Sequence, residues 1–184
     1  MKHSYLFLAT GFEETEAIGT ADVLRRAGMD VKTVSVTGDL AVAGAHNIIV
    51  EADDVLGEVD LEAADWLICP GGLPGATNLA DCKPLTDAIV KHYNQGKHVA
   101  AICASPGLVL APLGVLKGHK ATAYPGFEKA LEEGGATPTG TRAVIDGNVV
   151  TGNGPASVFA FGVAIVEAAL GKDKATEVAK GLLM

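Results

Sequence analysis

Short apolar runs alternate with helix-like stretches along the whole of this 184-residue chain. That alternation predicts an α/β fold, a single-domain α/β/α sandwich over residues 1–184 whose mostly parallel sheet carries helices on both faces. Val99 to Ile102 is apolar with no polar alternate, as a strand covered on both sides must be. Predicted strands also end in turns built from glycine and proline, at Thr10-Gly11, Pro70 to Gly75 and Gly152 to Pro155.

Tyr5 to Ala9 is the first predicted strand, broken by Thr10-Gly11. Glu13 to Ala27 follows as a helix with Ala17, Ile18, Ala21 and Leu24 along one face. Arg25 and Arg26 lie at the end where the helix dipole favours cations, and Gly28 terminates it. Val31 to Val36 is the second strand. Leu40 to Val50 holds two short apolar pieces around Gly44-Ala-His46-Asn47, a hairpin expected at the edge of the sheet. Asp65 to Cys69 is the third strand and runs into the Pro70 to Gly75 turn. A helix is expected from Leu79 to Asn94, properly under way from Pro84. After Val99 to Ile102, Ser105 stands where an N-cap belongs and Pro106 where N1 belongs, so a helix is expected from there to Ala111. Ala121 to Tyr124 reads as a strand ending at Pro125, and Phe127 to Glu133 as a short helix closed by Gly134-Gly135. Ala143 to Asp146 and Asn148 to Thr151 flank Asp146-Gly147, a hairpin signal. A long helix from Ser157 to Ala169, ended by Gly171, and a last one from Lys174 to Leu183 complete the chain.

A hydrophobic content of 48% with 20% charged residues is that of a soluble globule. The net charge is −8 with no basic stripe, which argues against a nucleic-acid site. Tyr5 to Ala9 is too short for a signal or membrane segment, and the run from Ala156 to Leu170 is interrupted by Ser157, Gly162 and Glu167. A cytoplasmic protein without membrane contact is therefore expected. Cys69, Cys82 and Cys103 lie in three separate elements without metal-ligand spacing, so thiols and no metal are expected. Neither Gly-x-Gly-x-x-Gly nor a phosphate-binding loop occurs.

In a parallel sheet, sites form beyond the carboxyl ends of the strands. That edge would collect Thr10-Gly11, Pro70 to Gly75, Cys103, Tyr124 and Gly152 to Pro155. Cys103 falls at the corner between a central strand and a helix, a geometry that in hydrolytic folds presents a nucleophile. Free N–H groups and the helix dipole there favour a thiolate, and the small neighbours Ala104, Ser105 and Gly107 leave the sulfur approachable. A buried cysteine acting as a small hydrophobe fits the same segment.

With these residues in view, the sequence resembles the ThiJ/PfpI superfamily, in the branch of the parkinsonism-associated protein deglycase and its bacterial relatives. The resemblance is carried by Gly11-Phe-Glu13-Glu14-Thr-Glu16, Asp22-Val-Leu-Arg-Arg-Ala-Gly28 and Cys69-Pro70-Gly71-Gly72-Leu-Pro-Gly75-Ala-Thr-Asn78-Leu79. Ala100-Ala-Ile-Cys103-Ala-Ser-Pro106, Gly154-Pro155-Ala-Ser157 and Ala164-Ile-Val-Glu167 complete it. It implies a flavodoxin-like, class I glutamine amidotransferase-like fold, a homodimer and no cofactor. It also implies that Cys103 is the elbow nucleophile and Glu16 the acid beside it, with an oxyanion turn at Gly71 and Gly72 and a pocket closed by Ala104, Tyr124, Gly154 and Pro155. A glutamate in a closed pocket is desolvated, stays protonated and can donate to a sulfur anion. Glu13 and Glu14 read instead as charges complementing the helix dipole.

The chain departs from strongly glyoxalase-active relatives at Tyr124, where they have a histidine, so slow turnover is expected. His3, His92, His98 and His119 read as surface or strand-entry positions without a role. His46, where relatives bearing an arginine use it near the pocket or dimer contact, is left out of the predicted site. The resemblance implies a cysteine-dependent enzyme acting on small dicarbonyls or on glycated protein. The alternative is an oxidative-stress sensor or chaperone switched by oxidation of Cys103 to sulfinic acid. A peptidase ranks last, because no histidine stands beside the elbow in sequence.

Overall fold

The computed structural model describes residues 3–184. Its first half contains strands Ser4–Leu8 (β1), Val31–Ser35 (β2), Ala41–Ala43 (β3), Ile49–Glu51 (β4), Asp54–Val55 (β5) and Trp66–Cys69 (β6). Helix Glu14–Arg26 (α1) joins β1 to β2, and helices Gly75–Asp81 (α2) and Lys83–Asn94 (α3) follow β6. Next come strand His98–Ile102 (β7), one turn of π-helix at Pro106–Leu110, strand Lys120–Ala121 (β8), helix Glu128–Glu133 (α4) and strand Thr137–Pro138 (β9). Strands Ala143–Asp146 (β10) and Val149–Gly152 (β11) and helices Val158–Leu170 (α5) and Lys172–Gly181 (α6) end the chain.

Seven strands form the main sheet in the order β10-β11-β7-β6-β1-β2-β5. Every neighbouring pair in it is parallel except the β10–β11 hairpin. Alternate side chains of each strand feed two cores. Leu6, Leu8, Ile68, Ala100 and Ile102 face α1, α5 and α6, whereas Tyr5, Phe7, Leu67, Val99 and Ala101 face the α2–α3 side. The α/β sandwich predicted from the sequence is the fold observed, with the first two strands, the central strands, the long C-terminal helix and the last hairpin in place.

Four local expectations are corrected. The hairpin around His46 forms as expected, but β3 and β4 make a two-stranded sheet of their own, and the short β5 takes the edge of the main sheet. The helix expected from Leu79 to Asn94 is two helices, because Pro84 at the start of α3 has no N–H to donate and would clash with the previous turn. The strand expected at Ala121 to Tyr124 is only Lys120–Ala121 and pairs with β9 outside the main sheet, since the Thr122 N–H is taken by the Thr151 hydroxyl at 2.9 Å. His92 is buried with its ring against the Asp65 carbonyl, not at the surface.

Ser105 holds the N-cap position with Pro106 after it, as expected, but its side chain does not cap the turn. Its backbone is already helical, and its buried hydroxyl donates to the Pro70 carbonyl at 2.5 Å, tying the turn after β6 to the corner after β7. The turn that follows is π-wound, with the Ala111 N–H donating to Pro106 O at 2.9 Å. Ser105→Ala leaves that carbonyl buried without its donor. We expect it to lower the unfolding free energy by about 1–3 kcal/mol in urea denaturation, whereas loss of an exposed N-cap would cost about 1 kcal/mol.

Candidate active site

The strand order reverses across β6, β1 and β2, so the loops after β1 and β6 meet at the switch point of the sheet, next to the end of β7. They interlock through the backbone: Glu13 N–H donates to Gly71 O at 2.9 Å and Gly75 N–H to Gly11 O at 3.0 Å. A Cβ on Gly72 would stand 2.4 Å from Glu13 N, so no larger residue fits between these loops.

Cys103 closes β7 with φ 66°, the left-handed region that a non-glycine residue enters at a cost of about 1–2 kcal/mol. Two hydrogen bonds hold it there, its own N–H to Gly152 O at 3.0 Å and Tyr124 N–H to its carbonyl at 2.8 Å. The side chain is thereby aimed out of the strand and only 8% of the residue is exposed. Glu16, on the first turn of α1, is wholly buried behind it. Its Oε2 accepts the Gly71 N–H at 2.8 Å, its buried Oε1 has no hydrogen-bond partner among the described residues, and the carboxyl lies beside the Cys103 side chain. The three groups are packed so tightly that a Cβ on Gly71 would lie 2.5 Å from Cys103 Cβ, 2.7 Å from Glu16 Oε2 and 3.0 Å from Cys103 Sγ.

Burial pushes the Glu16 carboxyl up to about 7, outweighing the hydrogen bonds from Cys103 and Gly71 that favour its anion, with the Glu13 charge adding to the rise. Burial, and then the charge on Glu16, push the Cys103 thiol up to about 12, while the N–H groups of Gly72 and Ala104 pull it down. The thiolate that the sequence led us to expect from the strand–helix corner alone is not what the site favours, because burial outweighs the corner's N–H donors. An enclosed sulfur beside a carboxylate keeps its proton. Protonating Glu16 removes that repulsion and turns the neighbour into a donor.

The cavity above the sulfur has a volume of about 370 Å³. Buried Cys103 and Ala104 lie at its base with Gly72, and Phe127 and the half-exposed Tyr124 and Leu73 form its walls. Gly154 and Pro155 do not line it: Gly154 backs the Tyr124 ring, where a Cβ would meet Cδ2 at 3.2 Å, so Tyr124 stands between the Gly152 to Pro155 turn and the cavity. Of the expected oxyanion turn, Gly71 has its N–H on Glu16, and the donors turned toward the sulfur belong to Gly72 and Ala104.

The sequence reading missed the other end of the cavity, where Glu13, Ala45 and His46 lie. Glu13 is the N-cap of α1, its carboxylate accepting the Glu16 N–H at 2.7 Å. Glu14 is not a solvated dipole charge but a buried carboxylate. It accepts the His46 N–H at 2.6 Å and lies 2.8 Å from His46 Nδ1. Burial alone would raise it, but the His46 ring, its own and the His46 N–H groups, and that of Ile48 hold it below the usual carboxylate range. His46 is raised in turn by the hydrogen bond to Glu14 and by its charge. Glu13, Glu14 and His46 offer atoms within 4.8 Å of one another, the one trio of metal-type side chains among the described residues, with Glu13 Oε2 and both Glu14 oxygens accepting these hydrogen bonds. No local signal links residue 14 to residue 46; only the folded hairpin does.

The sequence pattern of the DJ-1/PfpI family matches residues 2–168. The chain belongs to that family. It is 40% identical over 177 residues to Protein DJ-1 homolog A of Arabidopsis thaliana, covering 96% of this chain and 45% of that protein, so the chain spans about half the length of that relative. It is 31% identical over 172 residues to the glutathione-independent glyoxalase DJR-1.2 of Caenorhabditis elegans, covering 94% and 90% of the two chains. Among solved structures, oxidized DJ-1 of Toxoplasma gondii superposes with a TM-score of 0.93 at 35% identity, covering 100% of this chain and 98% of that one. The family and the flavodoxin-like fold implied by the sequence resemblance are thus those of the protein. No helix among the described residues is long and apolar enough to cross a membrane.

The Glu16 carboxyl gives the fold a pH dependence. Its folded-state value, about 7, lies above the ordinary 4.5, so the folded protein holds a proton that the unfolded chain has already released. Stability from this group is full below the unfolded value and is lost as the pH rises through 7. Between about pH 5 and about pH 8 the wild type should lose about 2.5 kcal/mol relative to Glu16→Gln, whose buried side chain carries no charge. Urea midpoints of the two proteins across that range measure it.

Proposed function

We propose that the chain is a cofactor-independent enzyme that rearranges reactive dicarbonyls, a methylglyoxal-like substrate to a 2-hydroxy acid, with Cys103 as nucleophile. What supports the reading most is the buried carboxyl–sulfur pair of Glu16 and Cys103 at the base of an open cavity. Two states of the pair have equal net charge. In the acid–thiolate state the sulfur accepts from the N–H groups of Gly72 and Ala104 and from the Glu16 O–H; in the thiol–carboxylate state the carboxylate has the Gly71 N–H and a weak S–H donor. The thiolate is the reacting form.

The sulfur adds to the aldehyde carbon, and the oxygen that becomes negative rests on the Gly72 and Ala104 N–H groups. Glu16 passes its proton to that oxygen, takes the hydrogen from the same carbon as a proton, and returns a proton to the neighbouring carbon through an enediol. The aldehyde carbon is oxidised to a thioester as the ketone is reduced to an alcohol. Water then cleaves the carbon–sulfur bond, releasing the hydroxy acid and restoring Cys103. The same steps on adducts of Arg, Lys or Cys side chains amount to deglycation. The half-exposed Tyr124 hydroxyl can hydrogen-bond the bound molecule in place of the histidine that strongly active relatives carry, so we expect slow turnover. The nematode relative's name, glutathione-independent glyoxalase, agrees with this chemistry.

Purified protein given methylglyoxal should release lactate, and Cys103→Ala should release none; equal lactate from both overturns the assignment. The rate of Cys103 alkylation by iodoacetamide against pH should differ between wild type and Glu16→Gln, because only the wild type has a carboxyl proton to exchange with the sulfur. Superimposable curves would remove Glu16 from the chemistry.

A second reading uses the same pair: a protonated Glu16 beside the sulfur also stabilises a sulfinate, so oxidation of Cys103 can act as a stress signal. The solved Toxoplasma relative is an oxidized form. Mild peroxide should then add two oxygens to Cys103 before Cys69, which is fully buried, or Cys82. Intact mass with peptide mapping reads the order, and prior oxidation of either other cysteine rejects it.

A further inference from the structure

Hydrolysis of the thioester needs a base at the place where water arrives, and neither Glu16 nor Tyr124 meets that need. Glu16 has no exposed surface and lies behind the sulfur, and the Tyr124 hydroxyl serves first as a hydrogen-bond donor. We infer that His46, oriented by Glu14, is the general base that activates water for release of the acyl group from Cys103. The inference rests on the reading of Cys103 as the nucleophile.

Three observations carry it. His46 and Cys103 line the same cavity, and the His46 side chain is 69% exposed to solvent. The Glu14 carboxylate, only 5% exposed, lies 2.8 Å from Nδ1 and also accepts the His46 N–H, so it fixes both the ring and the turn bearing it. A carboxylate on Nδ1 selects the tautomer protonated at that nitrogen. This leaves Nε2, for which no hydrogen bond to a protein group is found among the described residues, as the free base of a residue that lines the cavity. Cysteine, histidine and carboxylate thus come from three separate segments, the end of β7, the β3–β4 hairpin and α1.

The step balances without any outside reagent. Water gives a proton to Nε2 as its oxygen bonds to the thioester carbon. Collapse of the tetrahedral adduct breaks the carbon–sulfur bond, with the sulfur keeping the electron pair. One proton leaves through His46 to solvent and the other stays with the Cys103–Glu16 pair. The charged groups facing His46 are Glu14 and, at longer range, Glu13, and both favour its protonated form. Glu14 is the positioning residue, and its removal should lower the pH at which Nε2 becomes available.

The test separates acylation from deacylation with p-nitrophenyl acetate, which acylates a thiolate without needing dicarbonyl chemistry. In His46→Ala the first-turnover burst of nitrophenolate should persist while the steady rate falls about tenfold or more, and added imidazole should restore it. Glu14→Gln should retain a burst and shift the rising limb of the deacylation–pH profile to lower pH. With methylglyoxal, quenched His46→Ala should carry a hydroxylamine-labile adduct on Cys103 by intact mass that the wild type lacks. Deacylation unaffected by His46→Ala, or a loss that imidazole does not restore, overturns the assignment of His46. A His46-dependent deacylation in a protein that forms no lactate would keep the base and reject the dicarbonyl substrate. Absence of any burst in the wild type overturns both.

Discussion

A carboxyl with no exposed surface is packed against a sulfur at the base of the cavity, and much of the local architecture serves to keep the two together. Neither group is stable there as an isolated anion, since burial disfavours the charge on both. The chain meets this with backbone donors supplied from two loops: Gly71 to the carboxyl, and Gly72 and Ala104 to the sulfur. Those donors are in register only because Cys103 accepts a left-handed backbone and Gly71 has no side chain. Ser105 then fastens the two loops through the Pro70 carbonyl. Local strain at one residue is thus held in place by hydrogen bonds spread over four elements of the fold.

Three glutamates within four positions show how far environment outweighs residue type. Glu13 ends as an N-cap, Glu14 as a buried partner of a histidine, and Glu16 as a buried acid with a raised pKa. All sit at the positive end of α1, and simple dipole complementarity would have treated them alike. Their separate fates follow from direction. Glu16 points to the turn after β6, Glu14 to the β3–β4 hairpin, and Glu13 back onto its own helix.

Much of the fold was legible because strand burial and helix punctuation leave local marks. Val99 to Ile102 reads as a central strand from four residues, and Gly28 and Gly171 end helices where they were expected to. Cys103 and Glu16 were legible through motif order, and the structure brings them together with Gly71, Gly72 and Ala104. What stayed hidden depends on contacts between distant segments. The β3–β4 hairpin has the pattern of an edge ribbon whether or not it joins the main sheet. Ser105 looks like a capping side chain because its other use requires the Pro70 carbonyl, 35 residues away in sequence. The Glu14–His46 pair, 32 residues apart, leaves no periodic or spacing signature at all.

The independence of the β3–β4 ribbon has a consequence for how such a protein can diversify. The ribbon is tied to the loop after β1 by Gly11 N–H to Ala43 O and Ala45 N–H to Phe12 O, backbone bonds indifferent to the side chain at position 46. The ribbon can therefore keep its place with another side chain at position 46, while the packing of Glu16 against Cys103 is held by other contacts. A single codon at the ribbon's tip thus changes the lining of the cavity without touching the bonds that hold the ribbon there.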